Sequence, residues 1–204
     1  MAKTMTASQM TDGQIDNVCA KLRDALRKHR EEISSKAAQA ALGVDNIGMM
    51  MFAPFREQAD KFTEMIIREV EVDYDIPPEE AIHATKRAEY LNGEVVATMP
   101  RNGKGKKRVK VCFFPLRDYK SVDEVDAMLA ERGLKPDPYA LAQVNKEDPA
   151  FADERPNGTQ WKDERGRHCY VNFRRWHGKR RVDCDRDGHD WHDRWWIGGV
   201  PASG

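Results

Sequence analysis

The residues with the greatest chemical reach stand together at one end of the sequence. All five tryptophans fall between Trp161 and Trp196, and the segment 161–200 also holds four of the six histidines. Within it, Asp183-x-Asp185-x-Asp187-Gly188 matches the first half of a calcium loop, where alternate carboxylates converge on a hard cation and glycine permits the bend. Such a loop closes on a bidentate glutamate, and Arg194 stands in that place. His189 and His192, with Cys184, His177 and the pair His168-Cys169 nearby, are ligand types that zinc takes. A His-x-x-His spacing suits a helix, and this stretch has no helical period. No metal or other cofactor is therefore assigned. No Gly-rich phosphate loop, HExxH or GxSxG pattern occurs. Catalytic residues are accordingly not assigned, and a hydrolase using the Asp/His cluster stands only as an alternative.

The same composition suits a gripping surface, because Trp and Arg dominate binding hot spots. The candidate ligand-binding set is Asn172, Arg174, His177, Asp183, Asp185, Asp187, His189, Asp190, Trp191, His192, Asp193 and Arg194. Trp191, bracketed by Asp190 and His192 in a run without strand or helix period, is expected as an exposed apolar anchor. Trp161 and Trp176 alternate within strand-like segments and are expected in the core. Adjacent Trp195 and Trp196 must face opposite sides of a strand.

Bulk properties narrow the partner. Lys and Arg number 34 and Asp and Glu 34, so the chain lacks the basic excess of a generic nucleic-acid binder. The one strongly basic run, 101–110 (RNGKGKKRVK), reads as a turn entering a strand. Cys19, Cys112, Cys169 and Cys184 form no CxxC pair and no disulfide framework, and Cys19 and Cys112 lie in apolar patterns that suit buried thiols. With no signal-peptide pattern and no run of about 20 apolar residues, a cytoplasmic protein without a membrane partner is expected.

Positioning these residues falls to an α+β framework. Residues 1–10 are expected to be disordered. Thr11 and Gln14 make a capping box, after which Ile15, Val18, Cys19, Leu22, Leu26 and Ile33 recur at helical spacing up to Gly43. A second helix is expected near Pro54, carrying Phe55, Ala59, Phe62, Met65 and Ile66, so that 11–75 forms a helical hairpin for docking or homo-oligomerisation. The domain 77–204 is expected to hold a helix over 79–91, a strand over 108–116, a helix capped by Ser121 and Glu124, and a short helix from Pro138. Strands over 159–162, 168–176, 180–185 and 195–200 then follow as a short-stranded antiparallel sheet.

From residue 108 the order of strand, two helices and a strand meander ending in Trp195-Trp196-Ile197-Gly198-Gly199-Val200 resembles the C-type-lectin-like fold. The frame Trp161-Lys162-Asp163-x-x-Gly166, an aromatic strand with Cys169, then Trp191-x-x-x-Trp195-Trp196, is similar to the ends of small proteins from candidate-phylum bacteria. It also resembles the variable target proteins of diversity-generating retroelements. Their adenine-directed mutagenesis turns AAC codons into NNC codons, and of residues 183–194 only Trp191 lies outside the set such codons encode. The resemblance implies a non-enzymatic module whose variable surface, residues 172–194, binds a protein or other macromolecule. A structural or assembly protein of a phage or host complex, and a calcium-dependent binding module, are the alternatives.

Overall fold

The computed structural model describes residues 10–186 and 190–202. The expected disorder of residues 1–9 therefore lies outside the described residues. Two compact units divide between Glu57 and Gln58.

In the first unit, the Thr11–Gln14 capping box opens α1 (Asp12–Lys28) as read from the sequence. A 3-10 turn at Arg30–Glu32 then interrupts the helix, and Ser34 caps a separate α2 (Ser35–Leu42). α3 (Ile47–Asp60) starts seven residues before Pro54, which sits inside it; the Met49–Phe52 run supplies residues that tolerate a helix. None of residues 10–57 is buried, and Ile15, Leu22, Leu26, Ile33 and Met49–Phe52 are exposed. Cys19, expected inside, is exposed as well.

The second unit starts its sheet earlier than the sequence reading placed it. β1 (Ile66–Asp73) lies within the 11–75 region read as a helical hairpin and takes Ile66 from the stripe of its second helix. Its inward residues are Val70 and Val72, followed by Tyr74, an alternation that a half-buried strand imposes. The helix expected over 79–91 is cut short: α4 (Pro78–His83) ends and β2 (Ala88–Leu91) takes its second half, because Ala88–Leu91 pair with a later strand. Next come α5 (Gly93–Val96), β3 (Lys106–Pro115), α6 (Val122–Glu131), β4 (Leu134–Lys135), α7 (Pro138–Glu147) and α8 (Phe151–Glu154). The meander β5 (Asn157–Lys162), β6 (His168–Trp176), β7 (Lys179–Arg186) and β8 (Trp196–Pro201) completes the unit.

The sheet is mixed, which corrects the antiparallel expectation. Among the described residues its strands run β1-β3-β8-β5-β6-β7-β2, with β4 also on β8. β5 is parallel to β8 and β2 is parallel to β7, while the other pairings are antiparallel. The sequence of the strands alone could not announce parallel neighbours, since those pairings join segments distant along the chain.

Strand alternation divides the interior between the two faces. Val111, Phe113, Trp161, Cys169, Val171, Phe173, Val182 and Cys184 point to one face, where Ile82, Val95, Leu141, Val144 and Phe151 from α4, α5, α7 and α8 cover them. Cys112, Phe114 and Ile197 point to the other, against Val125 and Leu129 of α6 and against Trp191 and Trp195. Trp161 is thus core, as expected. Trp176 is not: at 46% exposure it ends β6 on the second face.

Candidate functional site

The second face changes character along the sheet. Over β3 and β8 it is apolar and covered. Over β5, β6 and β7 it carries Gln160, then His168, Tyr170, Asn172, Arg174 and Trp176, then Arg181, Asp183 and Asp185. The antiparallel register aligns Asn172 with Asp183 and Arg174 with Arg181, so these side chains share one surface. A cavity of about 310 Å³ opens there, floored by Tyr170, Asn172, Arg174 and Asp183 and walled by Gln160, His168, Val122, Asp190, Trp191, His192 and Trp195.

Main-chain pairing brings the segment around Trp191 to the sheet. Trp191 and Lys120 exchange two backbone hydrogen bonds, 2.7 and 2.9 Å, as an isolated antiparallel bridge. The bridge turns Trp191 inward and its neighbours Asp190 and His192 outward. Trp191 is only 7% exposed, so the exposed anchor read from the sequence is a buried wall of the cavity. Its ring lies edge-on to Tyr170 and Trp195, and its Nε1 donates to Gln160 Oε1 at 2.7 Å. Gln160 in turn donates from Nε2 to Val122 O and Asp126 Oδ1, both at 2.6 Å. One fully buried amide therefore ties β5, α6 and the Trp191 segment together. Trp195 is buried and Trp196 half-buried, in keeping with opposite orientations.

Gly158 admits this arrangement. A Cβ there would lie 2.7 Å from both Trp191 Cη2 and Val171 O. Only glycine lets the indole rest directly on the sheet backbone.

Charges on the floor are paired. Asp183, 4% exposed, accepts from Arg174 Nη2 at 2.7 Å and from Arg181 Nε. The Arg174 guanidinium sits 4.9 Å from the Trp176 ring centroid and 6.0 Å from that of Trp195, within cation–π range. Two polar atoms remain unmatched: Asn172 Oδ1 and Arg174 Nε are buried without a hydrogen-bond partner among the described residues.

The candidate residues thus sort into three groups. Asn172, Arg174, Asp183, Asp190, Trp191 and His192 line the cavity. His177, Asp185, Asp193 and Arg194 do not. His177, at φ 46°, and Gly178, at φ 77°, form the two-residue hairpin turn between β6 and β7, where paired positive φ values match the strand twist. Asp185 accepts from Asn92 Nδ2 at 2.9 Å. Asp193 and Arg194 occupy an exposed turn. Asp187 and His189, with Gly188, lie outside the described residues.

Among the described residues, the Asp183–Asp185 calcium set and the cysteine-containing zinc set read from the sequence do not converge. Asp183 spends both oxygens on arginines, and Asp185 stands two strand positions away, about 7 Å along β7. Cys169 and Cys184 turn to the opposite face, where burial raises their thiol pKa values, so neither offers a thiolate to the cavity. The ligand-binding set read from the sequence leaves out Gln160, Tyr170 and Trp195, and His168 enters that reading only as a zinc ligand type. For His168 and Tyr170 a signal existed, since they precede Asn172 and Arg174 at the same two-residue period. Gln160 had none, its role resting on α6 and on Trp191.

Comparison with known protein families, with curated proteins and with solved structures gives no match. Among the described residues no helix is long and apolar enough to cross a membrane.

Proposed function

We propose that this protein is a non-enzymatic binding module that holds a protein or other macromolecular ligand on the second face of its sheet, over β5–β7. The observation that carries the reading is Asn172. It is a buried side chain on the cavity floor whose Oδ1 has no partner among the described residues, and an unsatisfied buried acceptor costs about 1–3 kcal/mol unless a ligand donor meets it. At about 310 Å³ the recess is at the lower end for small-molecule sites, sized for one projecting side chain. Around it stand Trp176, Tyr90 and Tyr119, all exposed, with Arg174 and Arg181 against the first two rings. An Arg–aromatic rim about a small recess suits a macromolecular surface better than a free metabolite.

Asn172, Arg174, Asp183, Asp190, Trp191 and His192 form the site, with Tyr170 and His168 added. A lectin-like variable protein of the retroelement type is the family reading we attach to it. A neighbouring reverse-transcriptase gene and a near-copy of the 3′ end of this gene, with adenines at the site codons, would bear that out. Peptides selected from a random display library on the wild-type protein test the binding reading itself. They should lose at least tenfold in affinity for Asn172→Phe, which fills the recess. Selection of the same peptides by both proteins refutes it.

A second reading, an assembly component, is favoured by the exposed apolar side chains of α1–α3. Sedimentation that shows a monomer, unchanged by removal of residues 1–57, refutes it.

A further inference from the structure

We propose that Asp123, Asp126 and His168 form a binding site for one divalent transition-metal ion of the Mn²⁺ to Zn²⁺ group at the edge of the cavity. One donor atom from each residue lies within 4.8 Å of the others. His168 Nε2 is 3.1 Å from Asp126 Oδ2 and 3.8 Å from Asp123 Oδ1. Ligands about 2.1 Å from an ion lie about 3.0 Å apart at right angles and about 3.4 Å apart in a tetrahedron. The first spacing is already that of adjacent ligands, and the second closes with a side-chain adjustment of a few tenths of an ångström. One imidazole with two carboxylates suits ions between the hard oxygen-seeking and the soft thiolate-seeking classes.

The elements hold these groups before any ion arrives. The Ser121–Glu124 capping box fixes the start of α6, and Asp123 and Asp126 are three residues apart on one helix face. His168, at the first position of β6, has a side chain only 16% exposed. Asp126 is oriented by its second oxygen, which accepts from Gln160, and Gln160 is held by Trp191. Such outer contacts set the direction and basicity of a ligating carboxylate.

Asn172, four residues along β6 from His168 and so about 13 Å away, is a separate sign of a ligand in the same cavity. It is 93% buried, lines the same cavity as His168, and presents the unmatched Oδ1. An ion bound by three protein ligands keeps coordination positions open. A ligand reaching from those positions along β6 would bring a donor to Asn172.

Lys162 makes the proposal discriminating. Its ammonium lies 3.4 Å from Asp126 and 3.8 Å from Asp123, so it competes with the ion for the same carboxylates. If the cluster were only a surface ion-pair network, Lys162 would be a supporting member. In a metal site it is an antagonist.

Calorimetric titration of the chelator-treated full chain with MnCl₂, ZnCl₂ and CaCl₂, with Mn²⁺ also followed by electron paramagnetic resonance, tests this. One Mn²⁺ or Zn²⁺ should bind per chain, more tightly than Ca²⁺. His168→Ala and Asp123→Asn should each weaken it at least about tenfold, and Lys162→Met should strengthen it severalfold. The Asp123 side chain is 82% exposed, so its replacement leaves the fold intact. Failure of the wild type to bind at about 1 mM ion, binding unmoved by His168→Ala and Asp123→Asn, Ca²⁺ preferred, or Lys162→Met without gain would each overturn the assignment.

Discussion

Gly158→Ala should damage both the fold and the site, by an amount that the contacts fix. The added methyl would meet Val171 O at 2.7 Å on one side and Trp191 Cη2 at 2.7 Å and Cζ3 at 2.9 Å on the other. Unstrained carbon contacts lie near 3.5–4.0 Å, so the shortfall against Trp191 Cη2 is about 0.8 Å or more, and the carbonyl oxygen on the other side is also inside contact distance. Val171 cannot yield, because it belongs to the β5–β6 ladder, paired with Thr159. Trp191 can yield only by straining its bond to Gln160 and its backbone bridge to Lys120. Overpacking typically costs about 1–3 kcal/mol, and weakening one buried hydrogen bond adds about 1 kcal/mol. A loss of about 3 kcal/mol follows, or about 6–12 °C in Tm for a chain of this size. Urea unfolding followed by tryptophan fluorescence measures it. The reasoning also fixes a coupling. Phenylalanine lacks the Cη2 and Cζ3 atoms, so Trp191→Phe, itself costing about 2 kcal/mol through lost packing and the lost indole donor, should relieve one side of the clash. The double variant should be less destabilised than the sum of the singles by about 1 kcal/mol. Strict additivity, or a Gly158→Ala protein as stable as wild type, refutes the contact between Trp191 and the sheet.

Other expectations are as specific. Removing residues 1–57 should leave the second unit cooperatively folded by calorimetry, whereas removing 1–75 takes away β1 with Val70, Val72 and Tyr74 and should abolish the transition. Trp195→Ala should destabilise by about 3 kcal/mol or more as a core truncation, while Trp176→Ala should change stability by less than about 0.5 kcal/mol and weaken the selected peptides; equal stability losses would contradict the assignment of the two rings. Asp163, held by the Arg167 and Arg165 amides and the Arg167 guanidinium, has its carboxyl drawn down to about 2. A depressed carboxyl contributes stability above its unfolded value near 4 and loses it as pH falls through 2. Asp163→Asn should therefore be less stable at neutral pH and show a flatter decline between those values in acid-unfolding curves.

Local rules made much of this legible. Both capping boxes, the hairpin at His177-Gly178 and the strands β5 to β8 follow from neighbours in sequence. β1 carried its signal too, since Val70, Val72 and Tyr74 alternate with Glu71 and Asp73. The helical stripe before it drew the boundary too late. β2 carried none: four residues at the sheet edge owe their conformation to β7. At the site, the period-two row from His168 to Arg174 could be read as one face. The orientation of Trp191 could not, because a bridge to Lys120, 71 residues earlier, decides which way it turns. The same holds for His168 and α6, where partners meet only after the sheet has formed.

The place of β8 bears on how the chain comes to life. It is the joint between β1-β3 on one side and β5-β6-β7-β2 on the other, and both groups are synthesised before it. Until residues 196–201 have emerged and slid between them, the nascent protein holds two half-sheets, with β3 and β5 offering unpaired backbone along their flanks. Open edges of that kind recruit other strands. A ribosome pausing before the codons of β8 would therefore leave an adhesive intermediate open to chaperones. Translation speed through the final codons of the sheet thus becomes a determinant of yield in its own right.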